Sequence, residues 1–253
     1  MGGSVDSLRF SEVDYSGAYN NFGGWYNAPN ISNENAFAAL KVDGSITEWG
    51  SPDSGGTGAP SDSGYTKIYS NRSAFAALKA DGSITAWGFG SADAPSDSGY
   101  TKIYSTSNAF VAIKADGSIT AWGYSGAGGA GAPDGGGYIK IHSTFGAFAA
   151  LKADGSITAW GNPYTGGIGA PSGKGYTKIY SSGYSFAALK ADGSITAWGH
   201  SSYGGTSAPD GNGYTKIYST VSAFAAVKAD GSITAWGDST YGGTISTSNA
   251  TSD

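Results

Sequence analysis

Cysteine is absent from the 253 residues, which excludes disulfides, thiol chemistry and thiolate metal sites. Histidine occurs twice, as His142 and His200, and no Asp-x-Asp-x-Asp loop is present, so neither a zinc cluster nor a calcium loop can be read from the chain. Charged residues make up only 13%, with a net charge of −5, and the arginines are Arg9 and Arg72 alone. A chain with so little positive charge offers no track for a phosphate backbone, and nucleic acid is not expected as a partner. No apolar run approaches the roughly 20 residues that a membrane helix requires, so no membrane insertion is expected. Met1-Gly2-Gly3-Ser4 opens no signal-peptide core either. Apolar residues nowhere recur at a helical period, and the 43 glycines have no strand-to-helix context that would make a phosphate loop. No cofactor is implied.

What is present is repetition. Lys-Ala-Asp-Gly-Ser-Ile-Thr-Ala-Trp-Gly occurs unchanged at 79–88, 114–123, 152–161, 190–199 and 228–237, with a near-copy at 41–50. The Asp-Gly pairs at 43, 81, 116, 154, 192 and 230 are spaced by 38, 35, 38, 38 and 38 residues, so length counts copies of one small unit. The short copy lacks, within Phe89–Pro95, the Gly-Gly of the other returns, which is followed by Thr in three of them, and this places the deletion in a loop. Eleven of the twelve lysines occupy two fixed places in the repeat, such as Lys67 and Lys79.

Each unit reads as strands. Ala74–Ala80 and Ser83–Trp87 are short apolar and β-branched runs around Asp-Gly, which predicts a hairpin with a type I′ turn. Thr66–Ser70 is a further strand, and the stretch around Gly-Gly-Thr before each Ala-Pro is expected to add a short fourth. Alternation puts Phe75 and Ala77 on one face and Ala76 and Leu78 on the other, so both faces are apolar and must be covered. Small sheets that bury both faces against copies of themselves are the blades of a β-propeller, with an open β-solenoid as the competing arrangement. The expected fold is therefore all-β, a single propeller domain over 1–253 with six blades, or seven if residues 4–24 build a degenerate one. Residues 1–35 are divergent. They are expected to act as a closing segment, with Leu8–Val13 pairing with strands of the last blade.

The unit Ala-Leu-Lys-Ala-Asp-Gly-Ser-Ile-Thr-Ala-Trp-Gly, followed by a Gly-bearing loop and Ala-Pro, resembles the repeat of the regulator of chromosome condensation superfamily of propellers. In its short bacterial form it is most similar to the propeller-type β-lactamase inhibitors. The resemblance covers about 37–241 and implies a propeller, usually of seven blades. It implies no single activity, because the superfamily includes nucleotide-exchange factors, inhibitors and repeat regions of large surface proteins.

Comparison of the copies with each other separates scaffold from candidate site. Trp49, Trp87, Trp122, Trp160, Trp198 and Trp236 occupy one repeat position and are expected to pack between blades, with a ring of sugar-stacking platforms as the alternative. The connection between the first two strands varies instead. It holds Glu34 and Asn35, then Arg72, then Ser107 and Asn108, then Phe145, then Tyr184 beside Gly183, then Val221. These loops share one end of every blade and are the expected binding surface. In the resembling inhibitors, aromatic residues at this place grip the partner protein, and here most of those anchors are missing. A second variable set follows each Trp-Gly, where Phe89, Tyr124 and His200 break the pattern and are candidates for contact, whereas Tyr164, Tyr203 and Tyr241 read as packing residues. His142 replaces the tyrosine of Tyr69, Tyr104, Tyr180 and Tyr218 and reads as a strand substitution.

No catalytic constellation emerges, and the expectation is a non-enzymatic binding or structural propeller that contacts a protein or a cell-surface glycan through one face of loops. The rivals are a lectin with repeated sugar sites between blades and an architectural phage or adhesin module without ligand. An extracellular, cell-surface or virion location suits the low charge and the abundance of Ser, Thr and Tyr.

Overall fold

A computed structural model describes residues 10–13 and 32–245. Within them the regular elements are strands and one-turn 3-10 segments, with no α-helix. Strands β1 (Phe10–Val13), β2 (Ala36–Lys41) and β3 (Ile46–Gly50) form the first sheet, and β4 (Tyr65–Ser70), β5 (Ala74–Lys79) and β6 (Ile84–Gly88) the second. The third comprises β7 (Tyr100–Ser105), β8 (Ala109–Lys114) and β9 (Ile119–Gly123), and the fourth β10 (Tyr138–Ser143), β11 (Ala147–Lys152) and β12 (Ile157–Gly161). The fifth holds β13 (Tyr176–Ser181), β14 (Ser185–Lys190) and β15 (Ile195–Gly199), and the sixth β16 (Tyr214–Ser219), β17 (Ala223–Lys228) and β18 (Ile233–Gly237). Six three-stranded antiparallel sheets, one per repeat and each in chain order, are the blades of a six-bladed β-propeller. The described residues fall into two compact units, blades one to three ending at Gly136 and blades four to six beginning at Gly137.

Three local expectations are corrected. Phe10–Val13 pairs with β2 of the first blade and not with the last, and Leu8 lies outside the described residues. Its register, Phe10 opposite Lys41 and Val13 opposite Ala39, repeats that of Tyr65 with Lys79 and Ile68 with Ala77, bulge included, so β1 is a diverged first strand. The expected fourth strand is absent from the described sheets. In five of the returns the chain makes one-turn segments instead, at Pro52–Ser54, Ser125–Ala127, Pro163–Thr165, Ser201–Tyr203 and Ser239–Tyr241. The hairpin turn is not type I′ either, because the aspartates keep negative φ and only the glycine turns left-handed, at φ +80 for Gly82. The Gly82 N–H donates to the Lys79 carbonyl and the Lys79 N–H to the Ser83 carbonyl, a three-residue loop with a glycine bulge. Asp81 then serves as an acceptor, taking the Ser83 N–H at 2.9 Å and its hydroxyl at 2.7 Å.

Burial follows the repeat. In the first unit, Tyr65, Ile68, Phe75, Ala77 and Trp87 of blade two pack on Ala36, Ala38, Leu40 and Ile46 of blade one. In the second, Tyr176, Ile179, Phe186, Ala188 and Trp198 of blade five pack on Ala147, Ala149, Leu151 and Ile157 of blade four. Removing a Phe or Leu side chain from water stabilises by about 1.5–3 kcal/mol, so each such cluster outweighs any surface ion pair. The return loop completes the junction. Gly166, at φ +96, lies so close to Phe186 that a Cβ there would come within 2.7 Å of the ring. The Gly166 carbonyl accepts the Trp198 indole N–H at 3.1 Å. Gly55 with Trp87 and Gly204 with Trp236 repeat this bond at 3.0 and 3.1 Å. Glycine is needed here both for the left-handed backbone and for the contact with the ring.

Candidate functional site

Two backbone patterns gather the variable residues. Within each blade, the residue after the Trp-Gly pair donates its N–H to the carbonyl of the residue that precedes the second strand. Phe89 donates to Ser73, Tyr124 to Asn108 and His200 to Tyr184; Ser51, Asn162 and Asp238 do the same to Asn35, Gly146 and Ser222. The two variable loop sets therefore share one end of each blade. Between blades, the equivalent loop residues form a main-chain ladder. Glu34 donates to the Arg72 carbonyl and Arg72 to that of Ser107 in the first unit, while Phe145 donates to Gly183 and Gly183 to Val221 in the second.

Hydroxyls fasten the loops from below. Thr144 Oγ1 donates to the Thr165 carbonyl at 2.9 Å, as Thr106 does to Ala127 and Thr220 to Tyr241. The connecting loop and the one-turn segment of a blade are thus held as one piece, which positions side chains without requiring that they pack.

The side chains differ between the units. In the first, Arg72 Nε pairs with Glu34 Oε1 at 3.1 Å, both well exposed, and Asn35 is exposed beside them. Ser107 is buried and Asn108 half-buried, so that loop presents little to solvent. Phe89 and Tyr124 are 65% and 59% exposed.

In the second unit the sequence candidates converge. The Phe145 ring meets that of Tyr184 edge-on at 5.1 Å, and Tyr184 lies 4.8 Å from Tyr203 and 6.4 Å from His200. His200 and Tyr203 close the cluster at 4.4 Å. All four rings are half-buried. Gly183 makes room for them, since a Cβ there would lie 2.6 Å from Phe145 and 3.0 Å from Val221. Tyr203, expected to pack, does so against His200 and Tyr184. It belongs to the patch because the one-turn segment Ser201–Tyr203 swings it back over His200. The signal in the sequence is that His200, Tyr203 and Tyr184 are aromatic together in one repeat alone. Tyr164 and Tyr241, also expected to pack, stand 78% and 48% exposed.

Other candidates resolve as scaffold. Trp87, Trp122, Trp160, Trp198 and Trp236 are at most 5% exposed, leaving those five indole faces no room for a sugar ring; Trp49 is 45% exposed. His142 is 2% exposed within β10, in the tyrosine position. Hydrogen bonds from Ser83 hold the Asp81 carboxyl below its ordinary value, and the same turn does so at Asp43, Asp116, Asp192 and Asp230. Their carboxylates are thus accounted for by turn geometry. Among the described residues no group of three His, Asp or Glu side chains is placed to hold a metal ion.

The sequence matches no family model and no curated protein. Solved structures share its fold. The entire ectodomain of the receptor kinase CR4 from Physcomitrella patens superposes with a TM-score of 0.51 at 15% identity, over 81% of this chain and 60% of that one. The CRINKLY WD40 ectodomain of the receptor kinase ACR4 from Arabidopsis thaliana gives 0.50 at 17% identity, over 81% and 77%. Yeast RCC1 (Prp20), in its complex with Kap60, gives 0.50 at 13% identity, over 82% and 69%. The chain therefore spans three-fifths of the Physcomitrella ectodomain. At such identities the common property is the fold, and RCC1 is among the propellers that share it.

Proposed function

We propose that this chain is a non-enzymatic, protein-binding propeller whose contact surface is centred on Tyr184, with Phe145, His200 and Tyr203 around it. The observation that carries this reading is the convergence of four rings from three loops, two of them, Phe145 and Tyr184, at positions where other copies of the repeat have no aromatic residue. Binding energy in protein interfaces concentrates in a few aromatic or Arg anchors held in place before contact, and the main-chain ladder, the His200 N–H to Tyr184 carbonyl bond and the Ser185 hydroxyl on the His200 carbonyl supply that rigidity. Tyr, Ser and Gly are also the residues that adaptable protein-recognition loops favour. That RCC1 was crystallised bound to Kap60 supports a protein partner for a chain of this fold. The resemblance to β-lactamase inhibitors points the same way in kind, although the anchors here cluster on two neighbouring blades. Five buried indoles weigh against the rival of repeated sugar sites between blades.

The test is photo-crosslinking. A benzophenone amino acid at Tyr203 should trap a discrete protein in the native milieu, and a second copy at Ile139, far along the blade on β10, should not. Equal trapping at both positions, or capture that survives Tyr184→Ser unchanged, would refute the reading.

A further inference from the structure

The three loops that carry the four rings, at residues 144–146, 181–184 and 200–207, contain no Asp, Glu, Lys or Arg, and Asp238 enters only on the next blade, where its N–H donates to Ser222. The matching loops of the first unit carry Glu34, Asp53, Arg72 and Asp93. A charged partner group pressed against the patch would lose water and find no counter-ion, a penalty that selects an uncharged contact.

Hydrogen-bonding groups narrow the choice further. Among the described residues the hydroxyls of Tyr184 and Tyr203 have no hydrogen-bond partner, since every polar contact of these residues runs through the main chain. His200 Nδ1 is buried without a partner. A buried, unbonded nitrogen is far better tolerated as a bare lone pair than as an N–H, so the ring proton of the neutral imidazole belongs on Nε2, facing outward. The patch thus presents three side-chain donors among ring faces inclined to one another by 31° to 69°. A ligand that suits it has more carbonyl acceptors than N–H donors, and flat apolar rings to lie between aromatic ones.

Resting on the protein-binding reading above, we infer that the partner places an extended, uncharged, proline-bearing peptide segment on Tyr184, Tyr203 and His200. Proline has a carbonyl and no N–H, its pyrrolidine ring packs on aromatic faces, and its extended helix is already ordered before binding.

Random dodecapeptides displayed on phage, panned against the whole chain, test this directly. Recovered clones should be enriched in proline and poor in charge, and should bind Tyr184→Ser and Tyr203→Ser at least tenfold more weakly while binding Phe89→Ser as they bind the parent. The affinity of one synthetic clone should change less than twofold between 50 mM and 500 mM NaCl, because no ion pair is screened. A matched circular dichroism melt of the two tyrosine variants separates lost binding from lost folding. Charged or proline-poor clones, or a panel that contains no proline-rich clone at all, overturn the inference; so does unchanged binding by both tyrosine variants. The broader reading falls separately, if the crosslinked protein partner proves indifferent to Tyr184.

Discussion

The indole N–H of Trp198 donates to the carbonyl of Gly166 across a blade junction at 3.1 Å, whereas the indole nitrogen of Trp122, equally buried, has no hydrogen-bond partner. The difference lies in the preceding return. Residues 89–95 lack the Gly-Gly pair whose first carbonyl accepts the indole N–H at Gly55, Gly166 and Gly204. Replacing each Trp by Phe removes similar ring area, but Trp198→Phe strands the Gly166 carbonyl and Trp122→Phe removes an unsatisfied N–H. We expect Trp198→Phe to be more destabilising than Trp122→Phe by about 1–3 kcal/mol, read from urea unfolding. Equal losses would show that the bond contributes nothing.

Gly166 and Gly131 have similar left-handed backbones, at φ +96 and +81, yet only Gly166 faces an aromatic ring within 2.7 Å. Gly131→Ala should lose about 1–2 kcal/mol, the conformational penalty alone. Gly166→Ala should lose more, because Phe186 and Trp198 must also move. A thermal melt of the pair decides, and identical shifts would contradict the packing described.

The turn aspartates make stability sensitive to acid. Asp81, Asp116 and Asp192 are held below the ordinary carboxylate value, chiefly by the backbone N–H of the serine two residues on. At Asp230 the Ser232 hydroxyl leads. A lowered native value means that the unfolded chain binds protons first as pH falls. The contribution is therefore fully present above about pH 5 and lost as pH drops below about 4 and through the native-state values. The melting temperature should be level from pH 7 to 5 and fall below that. A variant with Asn at these four positions, which keeps the acceptor without titrating, should show a shallower fall.

Arg72 and Glu34 form an ion pair between neighbouring loops of the first unit, with side chains 48% and 57% exposed. Arg72→Ala should change stability by less than about 1 kcal/mol, since exposed pairs are screened and lose side-chain freedom. Thr144→Val, by contrast, leaves the carbonyl of Thr165 without its tether and should cost about 1–3 kcal/mol. A reversed order in chemical denaturation would mean that the loops are fastened by charge and not by hydroxyls.

Much of this was legible in residue order. Blade number, the hairpins, the packing role of Trp87 and its counterparts, and His142 as a strand substitution all follow from comparing copies, because one physical task repeated in place leaves one residue repeated in sequence. The shared location of the two variable loop sets at one blade end is less visible, since it depends on main-chain bonds such as His200 to Tyr184 that any residue can make. That Tyr203 packs on His200 and Tyr184 in particular is not visible, because its ring is placed by a 3-10 turn, whose direction no period of apolar residues reveals. The turn type was missed for a similar reason. Asp81 and Gly82 suit two geometries, and the Ser83 N–H and hydroxyl favour the one in which Asp keeps a negative φ. β1 was assigned to the wrong sheet because Phe10-Ser11-Glu12-Val13 has diverged from Tyr-Thr-Lys-Ile while keeping its register.

The ladder that runs from Glu34 to Arg72 to Ser107, and from Phe145 to Gly183 to Val221, is built from peptide groups alone. Proline is barred from its donor positions and a side chain from Gly183, but exposed rungs such as Glu34 and Arg72 admit almost any other residue. Rewriting those side chains would alter what the molecule greets while leaving how it stands untouched, so a lineage carrying this scaffold can change allegiance one codon at a time.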